Sequence, residues 1–206
     1  MGNFDKKNVC IKIGVRENLT DPRFVEFMEK EKHWDFSKEE YKDFDASAGP
    51  AYTEMSHRII TFITEYKDGI LMPDRCGCFE PLRREFKKEE VPLYTDWLSS
   101  PGGGLMLKKR RKFDVDIENE YFVAMWNGET GESIPPAVPL PEYMGKITFL
   151  FPKQRKIDMV FLEELLRDYC GYLETDSGFI YDMEDDRILF DLFHPERVGT
   201  LRPRRR

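Results

Sequence analysis

The sequence predicts an α+β fold: an antiparallel sheet, formed mainly by residues 105–190 plus an N-terminal strand, packed against several helices. Val9, Ile11, Ile13 and Val15 alternate with Cys10, Lys12 and Gly14, the period-two mark of a strand with one buried face. Further strand patterns gather between 105 and 190 while helical spacings mostly precede them, which is the order of an α+β chain. Aromatic residues supply 14% of the 206 residues, enough apolar area to bury a core although 34% are charged. One globular domain is expected over 1–201, with 95–104 the place where it would subdivide and 202–206 a basic flexible tail.

After the first strand, Asp21 and Pro22 read as an N-cap with proline in the first turn, ahead of Phe24, Phe27 and Met28 at helical spacing. Ser37 and Glu40 match a capping box, in which each side chain satisfies the other residue's free backbone N–H. Met55, Ile59, Phe62, Ile63 and Tyr66 fit a helix over 52–66, although the β-branched run Ile59–Thr64 ending at Asp68-Gly69 also fits a hairpin strand; the helix is preferred. A short helix is expected from Glu80-Pro81, with Leu82 and Phe86 inward, followed by a loop over Ser99–Gly104.

Phe113, Val115 and Ile117 alternate with acids, and the apolar run Tyr121–Trp126 suggests a partner strand joined near Asn119. Four prolines between Asn127 and Pro141 predict a long loop, and Lys146–Phe151 a further strand. Asp158 precedes a helix with Leu162, Leu165, Leu166 and Tyr169 on one face and Gly171 as its stop. Phe179–Tyr181 and Ile188–Phe190 close the fold as short strands on either side of the acidic segment 182–186.

The longest apolar run has six residues, against roughly 20 for a spanning helix, so no membrane association is expected and the protein is placed in the cytoplasm. Cys10, Cys76, Cys78 and Cys170 are too few and scattered for a disulfide framework, and Cys76-Gly-Cys78 is too close for the usual zinc spacing. No metal and no cofactor are expected. The glycines at 102–104 precede a strand pattern, whereas a phosphate cradle needs a helix N-terminus there.

Net charge is −7, but Lys108, Lys109, Arg110, Arg111 and Lys112 carry +5 and the tail Arg202-Pro-Arg-Arg-Arg206 carries +4, which leaves −16 on the remainder. So acidic a body repels phosphate backbones and favours a basic protein partner; nucleic acid can be reached only through those two basic clusters. The acids singled out for binding are Asp114, Asp116 and Glu118, on one face of a strand, and Asp182, Glu184, Asp185 and Asp186, with Trp97 as an aromatic anchor. For the first three the preferred explanation is the polar side of a strand whose Phe113, Val115 and Ile117 face the core.

One enzymatic pattern stands out. Asp74 after Pro73, with Glu85, Phe86 and Lys87 eleven residues on, matches the Pro-Asp then acid-x-Lys arrangement of many metal-dependent nucleases, where two carboxylates hold a cation and lysine steadies developing charge. The segment around Glu85 is, however, highly charged, where such sites use a buried strand. The preferred reading is therefore a non-catalytic, cytoplasmic protein-binding protein with an acidic surface: an inhibitor, or an immunity protein neutralising a basic toxin or nuclease. A metal-dependent hydrolase using Asp74, Glu85 and Lys87 is the alternative.

Overall fold

The computed structural model describes residues 8–15, 51–99, 104–119, 145–152 and 157–200. In chain order these form β1 (Asn8–Val15), α1 (Ala51–Glu65), β2 (Arg75–Gly77), β3 (Arg84–Glu85), α2 (Val91–Ser99), β4 (Gly104–Lys109), β5 (Phe113–Asn119), β6 (Gly145–Pro152), α3 (Met159–Leu173), β7 (Gly178–Asp182) and β8 (Arg187–Asp191). The fold is α+β, with one antiparallel sheet of eight strands in the order β3-β2-β4-β5-β6-β1-β7-β8. The sheet takes strands from both sides of 95–104.

The alternation that marks β1 in the sequence becomes the division between the two faces of the sheet. Ile11 is level with Phe149 of β6 and Ile180 of β7, and Phe149 in turn with Val115 and Leu107. All five are buried in one core, which also takes Ile59, Ile63 and Phe62 of α1, Tyr94 and Leu98 of α2, and Leu162, Leu166 and Tyr169 of α3. A smaller cluster on the opposite face joins Cys10, Leu150, Tyr181 and Ile188.

Two ring contacts through Tyr169 tie α1 to α3 and α3 to the sheet. Phe62 stacks on Tyr169 at 4.0 Å between centroids, and Phe149 meets the edge of Tyr169 at 5.9 Å. Phe62 also stacks on Tyr66 at 4.9 Å within α1 and its exit turn. Contacts of this kind contribute about 0.5–1.5 kcal/mol each beyond the area they bury. The Tyr169 hydroxyl, fully buried, donates to the Ile59 carbonyl at 2.7 Å, so the ring enters the core without leaving its polar atom unpaired.

Several expectations are corrected. The preferred helix over 52–66 forms, as Ala51–Glu65, and Asp68-Gly69 completes a left-handed exit (φ +58° and +80°) with no strand over 70–72. Leu82–Glu90 is not a helix: Arg84 and Glu85 pair with β2, and only Lys88–Glu90 make a single 3₁₀ turn. Phe86 does point inward, onto Tyr94 at 4.8 Å, and the segment 91–99, to which the sequence reading assigned no element, is α2. The partners of β5 are β4 on one side and β6 on the other, where the sequence suggested the run Tyr121–Trp126. That run lies outside the described residues, as do Asp21-Pro22, the Ser37–Glu40 box, the 127–141 loop and the tail.

α3 begins as the sequence indicates, with the Asp158 carboxylate accepting from the Phe161 N–H at 3.3 Å. It does not stop at Gly171. The helix runs on to Leu173, whose burial holds the last turn, and Glu174 takes the left-handed position (φ +57°) that ends it. Gly171 is thus an exposed helical residue with open space where a Cβ would stand, whereas at Gly178 a Cβ would meet Cys170 Sγ at 2.6 Å and Leu166 Cδ1 at 2.8 Å. Gly171→Ala should raise stability by about 0.5–1 kcal/mol, the helix-propensity difference, in urea denaturation. Gly178→Ala should lower it by about 1–3 kcal/mol, because α3 packs directly on the β7 backbone there. A loss of stability in the first variant would restore Gly171 as a stop.

Candidate functional site

The residues of the nuclease-like pattern each have a separate neighbour. Asp74 enters β2; its N–H donates to the Lys108 carbonyl at 2.8 Å, and its Oδ2 accepts from the Arg110 N–H at 2.7 Å, fastening the β4–β5 turn. Glu85 is exposed on β3 opposite Arg75, and the Lys87 ammonium lies 3.9 Å from Glu90. The Phe86 N–H donates to the Asp74 carbonyl, so Asp74 is one place out of step with Glu85 and alternation directs their side chains to opposite faces. Among the described residues no group of three His, Cys, Asp or Glu is placed to hold a metal ion. Burial pushes the thiols of Cys76, Cys78 and Cys170 up, Cys170 to about 12, so they are protonated at neutral pH.

Asp114, Asp116 and Glu118 do share the face of β5 opposite the helices, and two of them have lysine partners. Lys108 lies 3.5 Å from Asp114, and Lys146 2.8 Å from Glu118. Between these pairs Asp116 sits level with Met106 and Thr148. Burial, then the adjacent Glu118 carboxylate, push Asp116 up to about 7 against the opposing pull of Lys146. Burial also raises Asp114, with Lys108 opposing. The strip is therefore nearly neutral and is the polar side of a sheet strand.

The acids of the β7–β8 turn are arranged differently. Asp182, almost fully buried, accepts from the N–H groups of Glu184 (2.9 Å) and Asp185 (3.3 Å), so it shapes the turn and leaves Glu184 and Asp185 exposed. Arg187 lies 3.2 Å from Asp185, and Asp186 holds the left-handed position at φ +53°. Trp97 is half-buried on α2 beside Tyr94, with the Arg84 guanidinium 5.5 Å over its ring, so it serves the packing of α2.

Sequence reasoning missed the segment after β8. Asp191 is buried and accepts from the N–H groups of Phe193 (3.2 Å) and His194 (2.8 Å), while Arg197 lies 3.2 Å from its other oxygen and over the Phe179 ring. Gly199 and Thr200 then exchange hydrogen bonds with Ile188, covering part of the edge of β8. The signal available in advance was Asp191 followed two and three residues later by residues whose amides it caps.

The sheet order gathers these parts at one edge. Residues 157–200, which build α3, β7, β8 and the returning segment, contain twelve Asp and Glu against three Arg and no Lys. Glu174, Asp176, Glu184, Asp185 and Glu196 are exposed there. Among the described residues seven large apolar side chains are exposed, and four of them, Val160, Tyr172, Phe193 and Val198, fall in the same stretch of chain. Comparison of the chain with protein-family models, curated proteins and solved structures returns no match.

A pH test follows for Asp116. Its folded pKa is raised above the unfolded carboxyl value, so its contribution is most favourable below about pH 4 and is lost as pH rises towards 7. Asp116→Asn should therefore be more stable than the parent at pH 8, by about 1–3 kcal/mol, with the difference shrinking towards pH 4. A variant less stable at pH 8 than at pH 4, relative to the parent, would show that the carboxylate is stabilised where it stands.

Proposed function

We propose that the chain is a non-catalytic binding protein of the cytoplasm whose acidic β7–β8 edge, with the adjoining end of α3, engages a basic protein partner. The observation that carries this reading is the concentration of twelve acids and no lysine in residues 157–200, beside exposed Tyr172, Phe193 and Val198. Such a surface combines the two elements of specific docking: a negative field that speeds encounter with a positive partner, and apolar side chains that slow its departure. The role is that of an inhibitor or of an immunity protein that occupies a basic toxin or nuclease.

The carboxylates of the β5 strip take no part in this proposal, since all three are half-buried in the middle of the sheet and two lie beside lysines, whereas Glu184, Asp185 and Glu196 are exposed. The hydrolase alternative has less support. Asp74 holds a backbone amide, and Glu85 and Lys87 have neighbours of their own.

The test is capture of the partner with tagged parent chain, followed by kinetics on the purified pair. A basic protein should be recovered, with an association rate that falls about tenfold or more between low and physiological salt. Reversing Glu184, Asp185 and Glu196 to Lys should slow association by a similar factor at low salt and leave the fold intact. Association indifferent to both salt and charge reversal would contradict the proposal, as would Mg²⁺- or Mn²⁺-dependent nucleic-acid cleavage abolished by Asp74→Ala.

A further inference from the structure

At the other end of the sheet the β4–β5 hairpin gathers positive charge, in a way that departs three times from what stability alone favours. The first departure is in the turn. Arg111 holds φ +61°, a left-handed position that glycine or asparagine fills without steric conflict, yet an arginine stands there. The second is in the strands. Arg75 of β2 is directly level with Lys108 of β4, a like-charge pair that Glu85 on β3 and Asp114 on β5 flank but do not separate. The third is in the pairing. Arg110, Arg111 and Lys112 are exposed and have no carboxylate within ion-pair distance among the described residues, in a chain that carries more acids than bases.

The hairpin is nevertheless held in place. Lys109 Nζ donates to the Met72 carbonyl at 2.8 Å, the Asp74 carboxylate receives the Arg110 N–H, and the Lys112 N–H closes the turn on the Lys109 carbonyl at 2.9 Å. Of the acids at this corner, Asp74 is turned to that amide, Asp114 lies beside Lys108, and Glu85 stands opposite Arg75, away from the tip. A merely solubilising run of bases has no need of a fixed scaffold. Local choices that oppose stability but agree in placing cations at one spot are what a functional surface produces.

We propose that the tip Arg110–Lys112, supported by Arg75 and Lys108, is a contact site for the phosphodiester backbone of nucleic acid. The net charge of −7 does not forbid it. In the sheet order β5 and β8 are four strand steps apart, roughly 19 Å at the usual strand spacing, which is about twice the screening length in physiological salt. The acidic edge and the basic tip therefore act on their ligands almost independently, and this inference stands or falls apart from the docking role of β7–β8. Among the described residues no exposed aromatic ring accompanies the tip, so the contact is to phosphates, is indifferent to base sequence, and is weak and salt-sensitive.

Fluorescence anisotropy of a labelled 20-nucleotide RNA and of a duplex DNA of equal length, titrated with the full chain, tests the site. Both should bind in the range of about 10⁻⁶–10⁻⁴ M, and for the RNA log affinity against log salt should have a slope of about −2 to −3, that of three to four phosphates. Combined Arg110→Glu, Arg111→Glu and Lys112→Glu should weaken binding at least tenfold with an unchanged circular dichroism spectrum. Arg111→Gly separates the site from the fold, since it should raise the melting temperature yet weaken binding. Unaltered affinity in both variants would overturn the proposal. It would also fail if sedimentation showed the tip seated on the acidic edge of a second copy, with self-association abolished by the triple reversal and no binding to either nucleic acid.

Discussion

The fold depends on β1 lying between β6 and β7. Its eight residues pair with β6 along their whole length and five of them also pair with β7, so one N-terminal strand joins the β3–β6 part of the sheet to the β7–β8 hairpin. Two further ties fix the junction. The Gly14 N–H donates to the Ser177 carbonyl at 3.1 Å, and the Thr175 hydroxyl donates to the Gly14 carbonyl. Without β1, β6 and β7 would be parallel strands with a strand-wide gap between them and only α3 to connect them. Because the two faces of a strand alternate, the same strand also sets which residues are core and which are polar, and a slip of one residue would exchange Ile11 for Lys12 beneath α3.

The distribution of charge follows from that placement. Inserting β1 pushes the acid-rich C-terminal unit to one edge of the sheet and leaves the cationic hairpin near the other. Carboxylates in the middle, on β5, meet lysines on β4 and β6 and are neutralised or, for Asp116, driven towards the protonated form by burial. A row of acids in a sequence is thus not a negative surface until the neighbouring strands are known. The acids of β7–β8 remain at the surface because Asp182 and Asp191 are turned inward to hold the turns that display the rest.

Much of the fold was legible where one rule acted alone. The period-two pattern of Val9–Val15, the Asp158 cap with leucines at helical spacing, and the paired strands 178–182 and 187–191 all follow from local chemistry. Reading failed where partners distant in sequence decided the outcome. Leu82–Glu90 has a helical composition but becomes strand because β2 offers Arg84 and Glu85 an edge. α2 was hidden by its length and by Pro92, and is held by Tyr94, whose ring packs on Phe86 and whose hydroxyl donates to Glu90 at 2.9 Å. At the candidate site the acids themselves were visible, but the difference between a neutralised strip and an exposed edge was not, since it depends on strand order. The apolar residues beside the edge, Phe193 and Val198, lie in a segment whose conformation rests on one buried carboxylate and could not be separated from core by composition.

The central claim is that, of the two groups of acids the sheet carries, the exposed β7–β8 edge and not the half-buried β5 strip receives a cationic partner. Titrating the isotopically labelled chain with a short oligolysine, and following backbone amide shifts by NMR, examines this residue by residue without any knowledge of the natural partner. The account predicts saturable shifts at Glu174, Asp176, Glu184, Asp185 and Glu196, with Asp114 and Glu118 unmoved. Shifts of equal size on the β5 strip, or spread evenly over every exposed carboxylate, would contradict it.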